Sequence, residues 1–162
     1  MISVLRRPTT PIHPLLLAEA LTVSVAVRIS LRLRGVGATT RLAGRVVGAG
    51  CVRTALRDAR DPRELPNPRR IEVLFDEIPI AVRRIGSRRP FRFACLPRSL
   101  TVWILLRRRR VPVDLRIGVS GGTSDFASHA WVEWRGLPVG EGTFDVTRFR
   151  ALPLEHWVIG AP

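Results

Sequence analysis

Apolar residues change their rhythm along the chain. From Leu15 to Leu21 they crowd together as in a helix. Val23, Val25, Val27, Ile29, Leu31 and Leu33 then alternate with Ser24, Ala26, Arg28, Ser30, Arg32 and Arg34. Read alone, strict alternation predicts a strand, because successive side chains leave a strand on opposite faces. Residues 38–60 lean helical with weak periodicity. Over 69–86 the helical period is clearer, carried by Ile71, Leu74, Phe75, Ile78 and Val82. Pro79 lies inside that run and predicts a kink or a split, since it lacks the N–H that a helix interior uses.

The second half reads more plainly. Leu96–Arg110 predicts a helix with Pro97 in its first turn, where the missing N–H is not needed. Leu100, Trp103, Ile104 and Leu106 give it a buried stripe, and Arg107 to Arg110 end it where cations meet the negative end of the helix dipole. Val113–Val119 alternates as a strand, Ser120 to Ser124 is a turn, Ser128–Trp134 is a second strand, and Arg135-Gly136 turns into a third, Leu137–Glu141. A helix followed by an antiparallel meander predicts an α+β fold.

Pro8, Pro11 and Pro14 set off residues 1–14 as a flexible start. Residues 15–162 fit one domain, mainly helical over 15–86, with the better-defined helix and sheet over 87–162. Prolines at 62, 66 and 68 mark a loop between the halves, and no internal repeat is present. The run Leu15–Val27 is too short, and too soon followed by Arg28, to span a bilayer by itself. Val27 to Ser30 makes a poor signal-cleavage site.

Charge adds a polarity to this picture. All 27 basic residues are Arg, and the formal net charge is +14. Residues 1–110 hold 23 Arg against 7 acids, net +16; residues 111–162 hold 4 Arg against 6 acids, net −2. The basic half suits anionic partners, or is a solvated surface. Tyr is absent and the Trp residues lie elsewhere, so no aromatic ladder supports nucleic-acid binding. Cys51 and Cys95 form neither a disulfide framework nor a metal motif, so no metal is expected and a reducing cytoplasm is the default. Contact with a membrane surface stays open.

Cys95 stands just ahead of the Pro97 helix, where the first peptide N–H groups and the dipole stabilise a thiolate. Arg98, one turn along, adds to that field. By itself such a Cys is more often a small buried hydrophobe. His129 alters the balance, because an imidazole on a following strand can hold the thiolate and later protonate a leaving amine. Alternation puts His129, Trp131 and Glu133 on one face of that strand and Ala130, Val132 and Trp134 on the other. Glu141, closing the third strand, can be brought beside His129 across the Arg135-Gly136 turn. Asp145 is the reserve acid. Glu133, two residues from His129 on its face, is placed to contact substrate or Arg, and Arg98 and Trp131 are expected to contact substrate or support the site. His13, His156 and Cys51 are incidental in this reading.

Residues 81–152 resemble the stand-alone, transglutaminase-like leader peptidases of lasso-peptide biosynthesis. The resemblance runs through Cys95-Leu96-Pro97-Arg98-Ser99-Leu100, Leu105-Leu106-Arg107-Arg108 and Leu115-Arg116-Ile117-Gly118-Val119. It continues in Phe126-Ala127-Ser128-His129-Ala130-Trp131-Val132-Glu133, then Gly136-Leu137-Pro138-Val139 and Phe149. It implies a papain-like cysteine peptidase core, with Cys95 as nucleophile, His129 as base and, where the family has Asp, Glu141 as the third member. It also implies a helical 15–60, against the alternation at 23–34, and that reading is adopted.

The resemblance implies partners as well. These are a lasso precursor carrying a leader, a separate PqqD-like recognition protein, and an asparagine-synthetase-like cyclase. ATP belongs to that cyclase, since Gly118 to Gly122 lacks the Lys of a phosphate loop; no cofactor is expected here. Two other functions share these residues: an acyltransferase using the same Cys–His pair, and a non-catalytic binding protein whose basic half grips an acidic partner.

Overall fold

A computed structural model of the chain describes residues 12–47, 67–87, 94–121, 125–142 and 144–152. The proline-rich start up to residue 11, Cys51 and His156 lie outside the described residues. The elements are α1 (Pro14–Val47), α2 (Pro68–Gly86), α3 (Cys95–Arg108), β1 (Asp114–Ser120), β2 (Ala127–Trp134), β3 (Leu137–Val139) and β4 (Arg150–Ala151).

Residues 23–34 are helical, so the alternating pattern does not mark a strand. The stripe Leu16, Ala20, Ser24 and Val27 is buried instead, which is a helical period. Alternation misleads here because both faces of α1 carry apolar residues, so several periods fit the same letters. Gly35 breaks the helix with φ 72°, a left-handed conformation that costs glycine little. Beyond it, the Ser30 and Thr39 hydroxyls lie 2.9 Å apart. Nine residues of straight helix would separate them by roughly 13 Å, so the chain bends back at Gly35. Thr39 also donates to the Gly35 carbonyl at 2.7 Å. Taken end to end, Pro14–Val47 is long and apolar enough, by length and composition, to cross a membrane, but the break at Gly35 divides it into two helices.

α2 starts where Asn67 accepts from the Arg69 N–H at 3.0 Å and Pro68 opens the first turn. It stays one element through Pro79 and is not split there. α3 is the central element. Every residue from Ser99 to Arg107 is buried, more than the single stripe expected, because α1 and α2 cover one side of it and β1 and β2 the other. Two charge contacts tie its far end to α1: Glu19 receives both Arg108 and Arg109.

The sheet is antiparallel in the order β3-β2-β1-β4. Arg135 and Gly136 both take positive φ, as a two-residue hairpin turn between β2 and β3 requires. β3 is shorter than expected: it ends at Val139, and Glu141 lies beyond it rather than on it. The two-residue β4, paired with Gly118 and Val119, was not foreseen. One main core joins the helices to the inner sheet face. A smaller cluster of Trp131, Val146 and Phe149 lies apart from it.

Candidate active site

The short β3 creates the site. It pairs only with Val132, Glu133 and Trp134, so among the described residues the first half of β2 has no partner strand on that side. The start of α3 and the chain after β3 meet there. The Ser99 hydroxyl donates to the Ala130 carbonyl at 2.6 Å, fixing the first turns of α3 against the residue after His129. Cys95 is the first residue of α3, one turn before Ser99 on the same side of the helix. Its thiol is half-buried and free. Ala94 caps the helix without a side-chain hydrogen bond, so the opening N–H groups, including that of Cys95, point outward from the helix end.

His129 and Glu141 form the polar centre. Nε2 of His129 lies 2.9 Å from Oε2 of Glu141, and both side chains are over nine-tenths buried. An ionised carboxylate only accepts, so Nε2 carries the proton and donates it; Nδ1 is left as the basic nitrogen. Arg98, from the first turn of α3, stands 3.6 Å from the same carboxylate oxygen. The buried Glu141 charge is therefore compensated from two elements. No hydrogen bond joins the Cys95 thiol to His129 among the described residues.

Aromatic rings hold the imidazole from the side. Trp131 stacks on it with centroids 6.1 Å apart, and Phe144 and Phe149 tilt against it at 4.5 Å and 5.4 Å. Arg148 lies over both phenyl rings. Gly118, directly opposite His129 in β1, makes room for this arrangement. A Cβ there would sit 2.8 Å from the Trp131 ring. Gly140 does the same for Glu141. It has φ 74° and presses against the Pro79 ring, while its carbonyl accepts from Arg83 of α2 at 2.8 Å. The proline inside α2 thus forms the wall against which the turn into Glu141 is set.

The sequence-predicted residues separate into two groups. Arg98, His129 and Glu141 come together beside the open edge of β2, and Cys95 opens the helix that carries Arg98. Glu133 is engaged elsewhere, accepting from Trp131 Nε1 at 2.8 Å and from Arg116 Nε at 2.9 Å, so it steadies the Trp131 ring. Asp145 is turned to its own loop, where it accepts from the Thr147 hydroxyl at 2.6 Å and the Thr147 N–H at 2.9 Å. The Thr147 hydroxyl holds that exposed carboxyl below the usual carboxylate range, helped by the Thr147 N–H and the Arg148 charge. Among the described residues no hydrogen bond or ion pair joins Asp145 to His129. His13 accepts from the Leu15 N–H and so caps α1. Sequence reasoning gave no role to Ser99, Gly140, Phe144 or Arg148. Ser99 had one signal, a hydroxyl four places after Cys95 and so one turn along the same helix face. Gly140, just before the acid, had another.

A thiol at a helix start, an imidazole on a strand packed against that helix and a buried carboxylate behind it are groups that can support acyl transfer through a thioester. No curated protein and no solved structure matches the chain. A family model does match, over residues 23–153, and its members are generally cysteine-dependent enzymes. With that match spanning the helices, the Cys95 turn and the whole sheet, the chain belongs to the transglutaminase-like superfamily.

Proposed function

We propose that this protein is a cysteine peptidase that removes the leader from a lasso-peptide precursor at the leader–core junction. The observation that carries the chemistry is the His129–Glu141 pair, buried at 2.9 Å beside the opening turn of the Cys95 helix. The substrate class rests on the motifs around Cys95 and His129 that resemble the lasso leader peptidases.

In this mechanism the Cys95 thiol gives its proton to Nδ1 of His129, and the thiolate attacks the junction carbonyl. The Cys95 N–H stabilises the oxyanion. The C–N bond then breaks as His129 passes its proton to the core amine. Water adds to the thioester with His129 as base, releasing the leader as a carboxylic acid and restoring the thiol. Glu141 keeps the imidazole in the tautomer with Nδ1 free and offsets the imidazolium charge. Nothing in the sequence of steps needs a cofactor. A separate PqqD-like protein delivers the leader, and an asparagine-synthetase-like cyclase uses ATP to close the ring on the freed amine.

Mass spectrometry of the precursor, incubated with the recognition protein and either wild type or Cys95→Ala, tests the proposal. Cleavage by wild type alone supports it. Cleavage that persists in folded Cys95→Ala removes the nucleophile. A leader recovered as an amide of an added amine, with no free acid, identifies a transferase instead.

A further inference from the structure

We infer that the outer face of α1 rests on an anionic membrane surface. Leu15, Ala18, Thr22, Ala26, Ile29 and Leu33 are all exposed, and their spacing of three and four residues puts them on one stripe. The stripe carries no charge and runs roughly 27 Å along the helix. Leu15, Ile29 and Leu33 are 73%, 52% and 78% exposed. Among the described residues, four of the ten exposed large apolar side chains belong to the segment of α1 before Gly35. A contiguous apolar strip of this length on one element is an interaction surface rather than scattered exposure.

Charge selects the occupant. Arg32 and Arg34 are exposed at the end of the same helical segment, and Arg41 and Arg45 on the segment beyond the Gly35 bend. The one acid of α1, Glu19, is taken up by Arg108 and Arg109 of α3. The charge α1 offers outward is therefore positive, with apolar residues beside it, and this matches acidic headgroups over acyl chains. A second copy of the chain would set one arginine-lined face against another. The helix lies on the surface and does not cross it. Its inner face, Leu16, Ala20, Ser24 and Val27, belongs to the protein core, and crossing would strip that core from α2 and α3.

The inference is independent of the cleavage reaction and is tested without it. The full chain is sedimented with vesicles of phosphatidylcholine alone, or of phosphatidylcholine and phosphatidylglycerol in equal parts. Wild type should pellet with the mixed vesicles and far less with phosphatidylcholine alone. Partition should weaken in about 1 M salt. The triple variant Leu15→Gln, Ile29→Gln, Leu33→Gln alters exposed positions only, with its fold checked by circular dichroism. It should partition at least about tenfold more weakly. Arg32→Gln with Arg34→Gln should cost about fivefold per arginine. Equal behaviour of wild type and the triple variant, or no pelleting with either vesicle, overturns the inference. A dimer in sedimentation velocity that Ile29→Gln dissolves, with no vesicle binding, assigns the stripe to a second copy instead.

Discussion

Glu141 bears on His129 through a single oxygen, which also faces Arg98. Replacing it with Gln keeps the shape but lets an amide N–H face the imidazole, which favours the wrong tautomer and leaves the imidazolium without its counter-charge. Glu141→Gln should therefore lower kcat by roughly 10²- to 10⁴-fold, the usual weight of general acid–base assistance. The KM and the melting temperature should change little by comparison. A kcat within about twofold of wild type, as that general contribution would not allow, would remove Glu141 from the proposed machinery. Asp145→Asn is the matching control, since that side chain serves its own turn with Thr147 and its loss should leave cleavage unchanged. The longer stem of Glu is accommodated because β3 stops at Val139 and the chain turns before the carboxylate, rather than presenting it from a strand.

At the scale of elements, the site depends on two contacts between pieces distant in sequence. One is Ser99 on Ala130, which locks α3 to β2. The other is Gly140 on Pro79, with Arg83 holding the Gly140 carbonyl. A side chain at 140 would have to accept a left-handed backbone and displace the proline ring together. Gly140→Ala should cost about 1–3 kcal/mol from strain and overpacking. Because α2 and β3 must then part, Glu141 should move with the turn. Activity should fall further than stability alone accounts for, which kinetics on the folded fraction, with thermal melting alongside, would detect. Unimpaired kinetics in a destabilised Gly140→Ala would show that Glu141 is positioned by its hydrogen bonds rather than by this turn.

For the molecule as a whole, α3 is the axis on which the other layers are mounted. Leu105 is fully buried between the α1–α2 layer and the sheet. Leu105→Ala should cost about 2–5 kcal/mol in lost burial and cavity formation. At about 2–4 °C per kcal/mol for a chain of this size, Tm should drop by roughly 4–20 °C. Phe126→Ala, at a position 69% exposed, should stay within about 0.5 kcal/mol. Equal melting of the two variants would contradict the central placing of α3. The same layering gives the protein two sides: the helical layer with α1 and its arginines, and the sheet whose outer cluster encloses the His129 ring.

The letters alone were enough for the α+β class, for α3 with Cys95 at its start, and for β1, β2 and the Arg135-Gly136 turn. These features rest on local physics: a helical period, an alternating period, a proline in a first turn and a positive-φ pair. Cys95 and His129 could be proposed from the letters too, since the motifs that point to them lie within contiguous stretches. What only the tertiary structure decided was long-range. The strand-like alternation of 23–34 gave way to a helix because packing on α2 and α3 rewards the stripe Leu16, Ala20, Ser24 and Val27. β3 stopped short because α3 and the Glu141 turn occupy the edge it would have extended. Sequence ranked Glu141 over Asp145 without excluding either, yet Gly140 against Pro79 swings one to His129, while a two-residue turn keeps the other at the surface. Those outcomes depend on which surfaces meet across dozens of residues, and a local pattern of apolar and polar letters carries no record of that.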